Sequence, residues 1–173
     1  MKTGGKAIAL AAVSAALCVV FLTIGAYFET FELSALFTAS LVLMLPLAKS
    51  GVKTSFLTYG AAVVLSLITV GGRFSVVILF AVFFGLHPIL NFVLLSKGKK
   101  DINIFTPLKI LWFIGVCFLM YFVLKTFTAE NETLEKYIVP IIIFGGAVFG
   151  FLYDVIMIRF QKITFAIINK LKL

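Results

Sequence analysis

Six long apolar runs, separated by short polar or glycine-bearing breaks, organise this chain of 173 residues. They occupy residues 7–28, 33–48, 54–70, 74–95, 108–127 and 137–159. Each is continuously apolar, whereas the strands of a membrane barrel alternate apolar and polar positions in segments of about ten. The runs therefore predict helices, and the fold class is all-α. The breaks carry turn chemistry: Ser50-Gly51, Gly71-Gly72, and a longer link from Gly98 to Pro107 whose proline stands at a helix start. The first run extends unbroken from Ala7 to Phe28, about the 20 residues that a hydrocarbon core of roughly 30 Å requires. A cleaved signal has a shorter apolar region, so this run predicts a retained helix. The second and third runs are short for a full crossing, since about 16 residues span only some 24 Å, and suit recessed positions among longer neighbours. Beyond Arg159, residues 160–173 mix Ile163, Phe165, Ile167, Ile168 and Leu171 with Lys162, Lys170 and Lys172. That tail is read as an amphipathic helix at the cytoplasmic interface, or else as a continuation of the sixth run.

Composition turns these helices into membrane spans. A chain that is 62% hydrophobic and 13% charged, with a mean hydropathy of +1.19, lacks the polar surface to coat a soluble globule. The charges then set an orientation. All of the 15 Lys and Arg residues except Arg73, Lys125 and Lys136 fall at one set of span ends: Lys2 and Lys6, Lys49 and Lys53, Lys97 to Lys109, and Arg159 to Lys172. The other ends carry Glu29 and Glu32, then Arg73, then Glu130, Glu132 and Glu135. Loops rich in Lys and Arg stay in the cytoplasm, which predicts a single six-span domain in the cell membrane with both termini cytoplasmic. The formal charge of +8 thus meets lipid headgroups, and nucleic-acid binding is not expected.

Few residues offer chemistry. Cys18 and Cys117 lie deep in apolar runs with no CxxC and no histidine at ligand spacing, so no metal site, disulfide or cofactor is expected. There is no GxxxxGK[ST], HExxH or GxSxG, so ATP hydrolysis by a P-loop is excluded and the chain does not read as an enzyme. Three constellations stand out. Ala7, Ala11 and Ala15, with Ala12 and Ala16 on the adjacent row, form a small-residue face on the first span that permits close helix approach, within the chain or to a partner. Gly146 and Gly150 repeat the device on the sixth, for internal packing. His87, Asn91, Tyr153 and Asp154 are polar groups at cytoplasmic-half depth. They form either a clasp between spans four and six or a proton-linked site, and Asp154 can pair with His87 or with Arg159. Pro88 deprives the Phe84 carbonyl of its amide partner, so another donor must reach it. On the outer side, Tyr27, Glu29 and Glu32 close the first span, Gly71, Gly72 and Arg73 cap the third, and Lys125, Glu135 and Tyr137 flank the last outer loop; together they would cap a ligand pocket in which Arg73 receives a carboxylate or phosphate, and the competing reading of Arg73 is a snorkelling interfacial arginine.

The basic amino terminus running into Lys6-Ala7-Ile8-Ala9-Leu10-Ala11-Ala12-Val13-Ser14-Ala15-Ala16, ahead of five further spans, resembles the S components of energy-coupling factor vitamin importers. The resemblance implies a vitamin-like ligand bound near Arg73, Phe74, Lys125 and Tyr137. It also implies docking of the alanine face on a transmembrane scaffold subunit, with energy supplied by separate ATPase subunits. Residues 80–95 together with 153–159 also resemble an uncharacterised group of small Firmicute membrane proteins. Shape-determining proteins of the MreD type share the S-component fold, so a non-catalytic envelope scaffold is the alternative expectation.

Overall fold

The computed structural model describes residues 4–96, 105–124 and 132–170. Every element among them is helical: α1 Gly5–Tyr27, α2 Glu32–Ser50, α3 Val52–Thr69, α4 Phe74–Leu79, α5 Leu86–Ser96, α6 Thr106–Leu124 and α7 Glu132–Lys170. A 3-10 turn, Glu29–Phe31, leads into α2, and a π turn, Phe80–Phe84, joins α4 to α5. Five helical stretches are long and apolar enough to cross a membrane: Gly5–Tyr27, Glu29–Ser50, Val52–Thr69, Phe74–Leu95 and Tyr137–Ile168. The sixth apolar stretch, Thr106–Phe122, is shorter. This is a membrane-embedded, all-helical protein.

The chain divides into two compact units, parting between residues 99 and 100 and again between 156 and 157. In the first unit α1 packs along α2 and α3. The α1/α2 approach is close because Gly25 has no side chain; a Cβ there would stand 2.9 Å from that of Ala35. Gly51 alone links α2 to α3, at φ +81, a backbone state that L side chains rarely adopt. Gly71 and Gly72, also at positive φ, turn the chain from α3 into α4.

The second unit holds α6 and the first part of α7. Their packing follows a stride of four residues. Gly146 lies against Ile114 and Gly150 against Ile110 and Phe113, where added Cβ atoms would come within 3.3 Å and 3.4 Å of the neighbouring side chains. Asp154 then meets Thr106, one further turn along both helices. Phe113 stacks on Phe149, their ring centroids 5.2 Å apart.

α7 does not stop at Arg159 but runs on through Lys170, and neither Gly nor Pro occurs after Gly150 to interrupt it. Residues after 156 belong to the first unit, where Phe160 packs edge-on to Phe37 and Phe165 stacks on Phe92.

Candidate functional site

Four polar or open features emerge, and the first lies where α1 and α3 run side by side. Ile8, Ala11, Ala12 and Ala15 of α1 face Thr54, Leu57, Thr58 and Ala61 of α3 across a groove of about 420 Å³. Both helices contribute positions at i, i+3, i+4 and i+7, one face over two turns. The alanines keep the floor low, while Ile8 (59% exposed) and Leu57 (75%) form open walls. Of the alanines singled out in the sequence, Ala11, Ala12 and Ala15 line the groove. Ala7 is half-buried one turn before Ala11, and Ala16 is exposed. The α3 side escaped notice because Thr54, Thr58 and Ala61 are not a recognisable small-residue motif.

The second feature is a polar seam in the first unit, built around Gly85-Leu86-His87-Pro88. In the π turn the Gly85 amide donates to the Phe80 carbonyl, 2.7 Å away, rather than to Ala81. The Tyr59 hydroxyl donates instead to the Ala81 carbonyl at 2.6 Å. Gly85 admits that tyrosine, since a Cβ there would stand 2.7 Å from two carbons of its ring. Pro88 leaves the Phe84 carbonyl without its amide, and Ser40 Oγ reaches it at 2.8 Å. The same hydroxyl lies 2.8 Å from the Leu36 carbonyl, and its one proton serves both acceptors in turn. Gln161 Nε2 donates to the Pro88 carbonyl at 3.2 Å. His87 and Asn91 are fully buried, with Asn91 Nδ2 3.4 Å from His87 Nδ1; an amide nitrogen only donates, so the imidazole accepts. The His87 ring also packs on Phe83, centroids 5.3 Å apart. Neutral side chains thus satisfy backbone groups that the π turn and the proline release.

The third feature is an ion pair in the second unit. Lys109 Nζ donates to Asp154 Oδ1 at 2.7 Å, and Thr106 Oγ1 donates to Oδ2 at the same distance. Lys109 is 3% exposed and Asp154 1%. This corrects one expectation: Lys109, counted in the sequence with the headgroup-facing lysines, is buried against Asp154. An ammonium in apolar surroundings needs a counter-ion, and Asp154 is the one aspartate within the predicted spans. That signal was present in the sequence. Tyr153, beside Asp154, is buried and stacks on Phe149 at 6.2 Å.

The fourth feature is at the far end of α1. Arg73 Nη1 donates to the Ala26 carbonyl at 3.2 Å, and the guanidinium carbon lies 5.3 Å from the centre of the Tyr27 ring. The last turn of α1 has no basic residue of its own, so Arg73 brings positive charge to the end where unpaired carbonyls collect. Thr23 Oγ1 and Thr69 Oγ1, 3.0 Å apart, tie the same ends of α1 and α3 together. Glu29 and Phe74 are exposed, and among the described residues Arg73 and Glu29 form no ion pair. Tyr137 is exposed in the second unit, and Lys125 lies outside the described residues. Of the expected outer constellation, the structure brings Arg73 together with Tyr27.

No group of three His, Cys, Asp or Glu side chains suited to a metal ion occurs among the described residues. Comparison with known proteins returned no matching family model, no matching curated relative and no matching solved structure.

Proposed function

We propose that this chain is a membrane-embedded, non-catalytic subunit of the energy-coupling factor type: it binds a vitamin-like small molecule and docks on a transmembrane scaffold that separate ATPase subunits drive. In this reading the chain crosses the cell membrane six times, α6 included, with both termini in the cytoplasm. The observation that supports it best is the groove between α1 and α3. Its alanine floor allows a partner helix to approach backbone to backbone, which is how helices associate where lipid is as apolar as leucine. Lys6 and Lys53, exposed where the two helices begin, complement acidic residues on that partner. The ligand would enter at the opposite end, near Tyr27, Arg73 and Phe74, with Lys125 and Tyr137 as further contacts.

One observation favours the alternative, an envelope scaffold of the MreD kind. The Arg73 guanidinium already serves its own α1 terminus and the Tyr27 ring, which suits a structural clasp as well as a ligand clamp. Two measurements separate the readings. Ala12→Leu fills the groove from an exposed position and is expected to abolish co-purification of the scaffold and ATPase subunits. Mass spectrometry of the purified chain is expected to find a retained small molecule. Envelope-assembly partners in its place, with no ligand, would transfer the assignment to the scaffold.

A further inference from the structure

The joint between α4 and α5 is held by a side chain from another helix. The Gly85 amide and the Tyr59 hydroxyl are rival donors for the Ala81 carbonyl. In a regular helix the amide takes it; here the hydroxyl does, at 2.6 Å, while the amide reaches one residue further back to Phe80. Tyr59 in turn rests on Phe80 and Phe56, ring centroids 6.0 Å and 5.7 Å away, and on the bare backbone of Gly85. The π turn and the position of Tyr59 thus support each other.

Both ends of α4 can yield. Its start follows Gly71 and Gly72, at positive φ, and at its end the Phe80 amide is shared between the Val76 and Val77 carbonyls. Of the six residues between, only Ser75 is polar, so a turn of α4 about its axis exchanges one apolar side chain for another. Arg73 is the residue from which α4 starts. On α3, at about 100° per residue, Tyr59 stands on nearly the opposite face from Thr54, Leu57, Thr58 and Ala61 of the groove.

Resting on the docking role proposed above, we propose that Tyr59 is the latch of a register switch that links the groove to Arg73. Close packing on a partner seated in the groove draws α3 toward that side and away from the α4/α5 joint. The hydroxyl then leaves the Ala81 carbonyl, and the Gly85 amide takes it in an ordinary helical bond. The turn loses its extra residue, so α4 advances by about 1.5 Å and rotates by about 100° against α5. Arg73 turns with it, leaving the Ala26 carbonyl, the Tyr27 ring and the place from which it holds a ligand. Docking therefore releases ligand, and by linkage a bound ligand weakens docking.

The test uses the full chain in nanodiscs, with Cys18 and Cys117 replaced by Ala and spin labels at Phe74→Cys and Leu90→Cys, exposed positions on either side of the turn. The free chain should show mainly the distance of the π register. Tyr59→Phe keeps the ring but removes the donor, and should raise the ratio of a second, shifted distance to the first about threefold. Gly85→Ala, which drives the tyrosine off, should raise it further. Ser40→Ala strips a donor from the same joint without touching Ala81 and should leave the distances unchanged. One unchanged distance in both Tyr59→Phe and Gly85→Ala, or an equal shift in Ser40→Ala, overturns the switch. A complex captured through the scaffold subunit should report the second distance, and capture with the free chain's distance overturns the link to docking. Failure to capture a scaffold rejects the docking role alone, since the free-chain variants decide the switch without it.

Discussion

The two units handle buried polarity in opposite ways. In the first, Ser40, Tyr59 and Gln161 are neutral, and each reaches a carbonyl on the Phe80–Pro88 stretch, two of which the π turn and Pro88 have released. In the second, an ammonium and a carboxylate are both withdrawn from water and answer each other, with Thr106 in support. The neutral scheme distributes its cost: losing one hydroxyl strands one carbonyl, and interhelical hydrogen bonds in membranes are worth on average only about 0.6 kcal/mol. The ionic scheme concentrates it, because removing either partner leaves a whole charge uncompensated. Polar groups at comparable burial therefore differ several-fold in how much the fold depends on them.

The contrast is tested most severely at the ion pair. Asp154→Ala or Lys109→Ala should each destabilise the protein by about 3–5 kcal/mol, read as a fall in the denaturation midpoint in detergent. The double replacement Lys109→Met with Asp154→Leu should recover most of that loss, because the apolar surroundings accept apolar side chains. A double variant as unstable as the singles would show that the charges do more than neutralise each other. Next comes Gly85→Ala, which drives a methyl into the Tyr59 ring and should cost about 1–3 kcal/mol; combining it with Tyr59→Ala removes the collision, and the two penalties should then fall short of additive. Ser40→Ala should cost less, about 0.6–1.7 kcal/mol, and increase hydrogen exchange near Phe84. Arg73→Ala should have the smallest effect on stability, about 0.3–1 kcal/mol, since the exposed guanidinium acts on a helix end in contact with water. A loss of ligand retention out of proportion to that change would place Arg73 in the pocket rather than in a clasp.

Much of the architecture was legible because membrane helices announce themselves as unbroken apolar runs. The positions of Gly51, Gly71 and Gly72 were readable for the same local reason: the turns need backbone states that glycine supplies. Pro88 allowed a further step, since a missing amide implies an orphaned carbonyl, and Ser40 now stands as its donor. Which residue would fill that role was not legible, because α2 and the π turn are distant in sequence and their alignment depends on packing. The π turn itself has no marker in Phe80-Ala81-Val82-Phe83-Phe84. Lys109 was misread because a charge count treats every lysine near a span end alike. Its depth depends on how α6 packs against α7, which the local sequence does not specify.

The stride of four that pairs Gly146 with Ile114, Gly150 with Ile110 and Asp154 with Thr106 has a mechanical consequence. Gly146 and Gly150 present no side chain to α6, so their fit alone specifies the register only weakly against a slip of one pitch, about 5.4 Å. Such a slip would set the Asp154 carboxylate against Ile110 or beyond the end of α6. The buried charge therefore works as an index mark on an otherwise repetitive ratchet, admitting one setting of the hairpin and rejecting its neighbours.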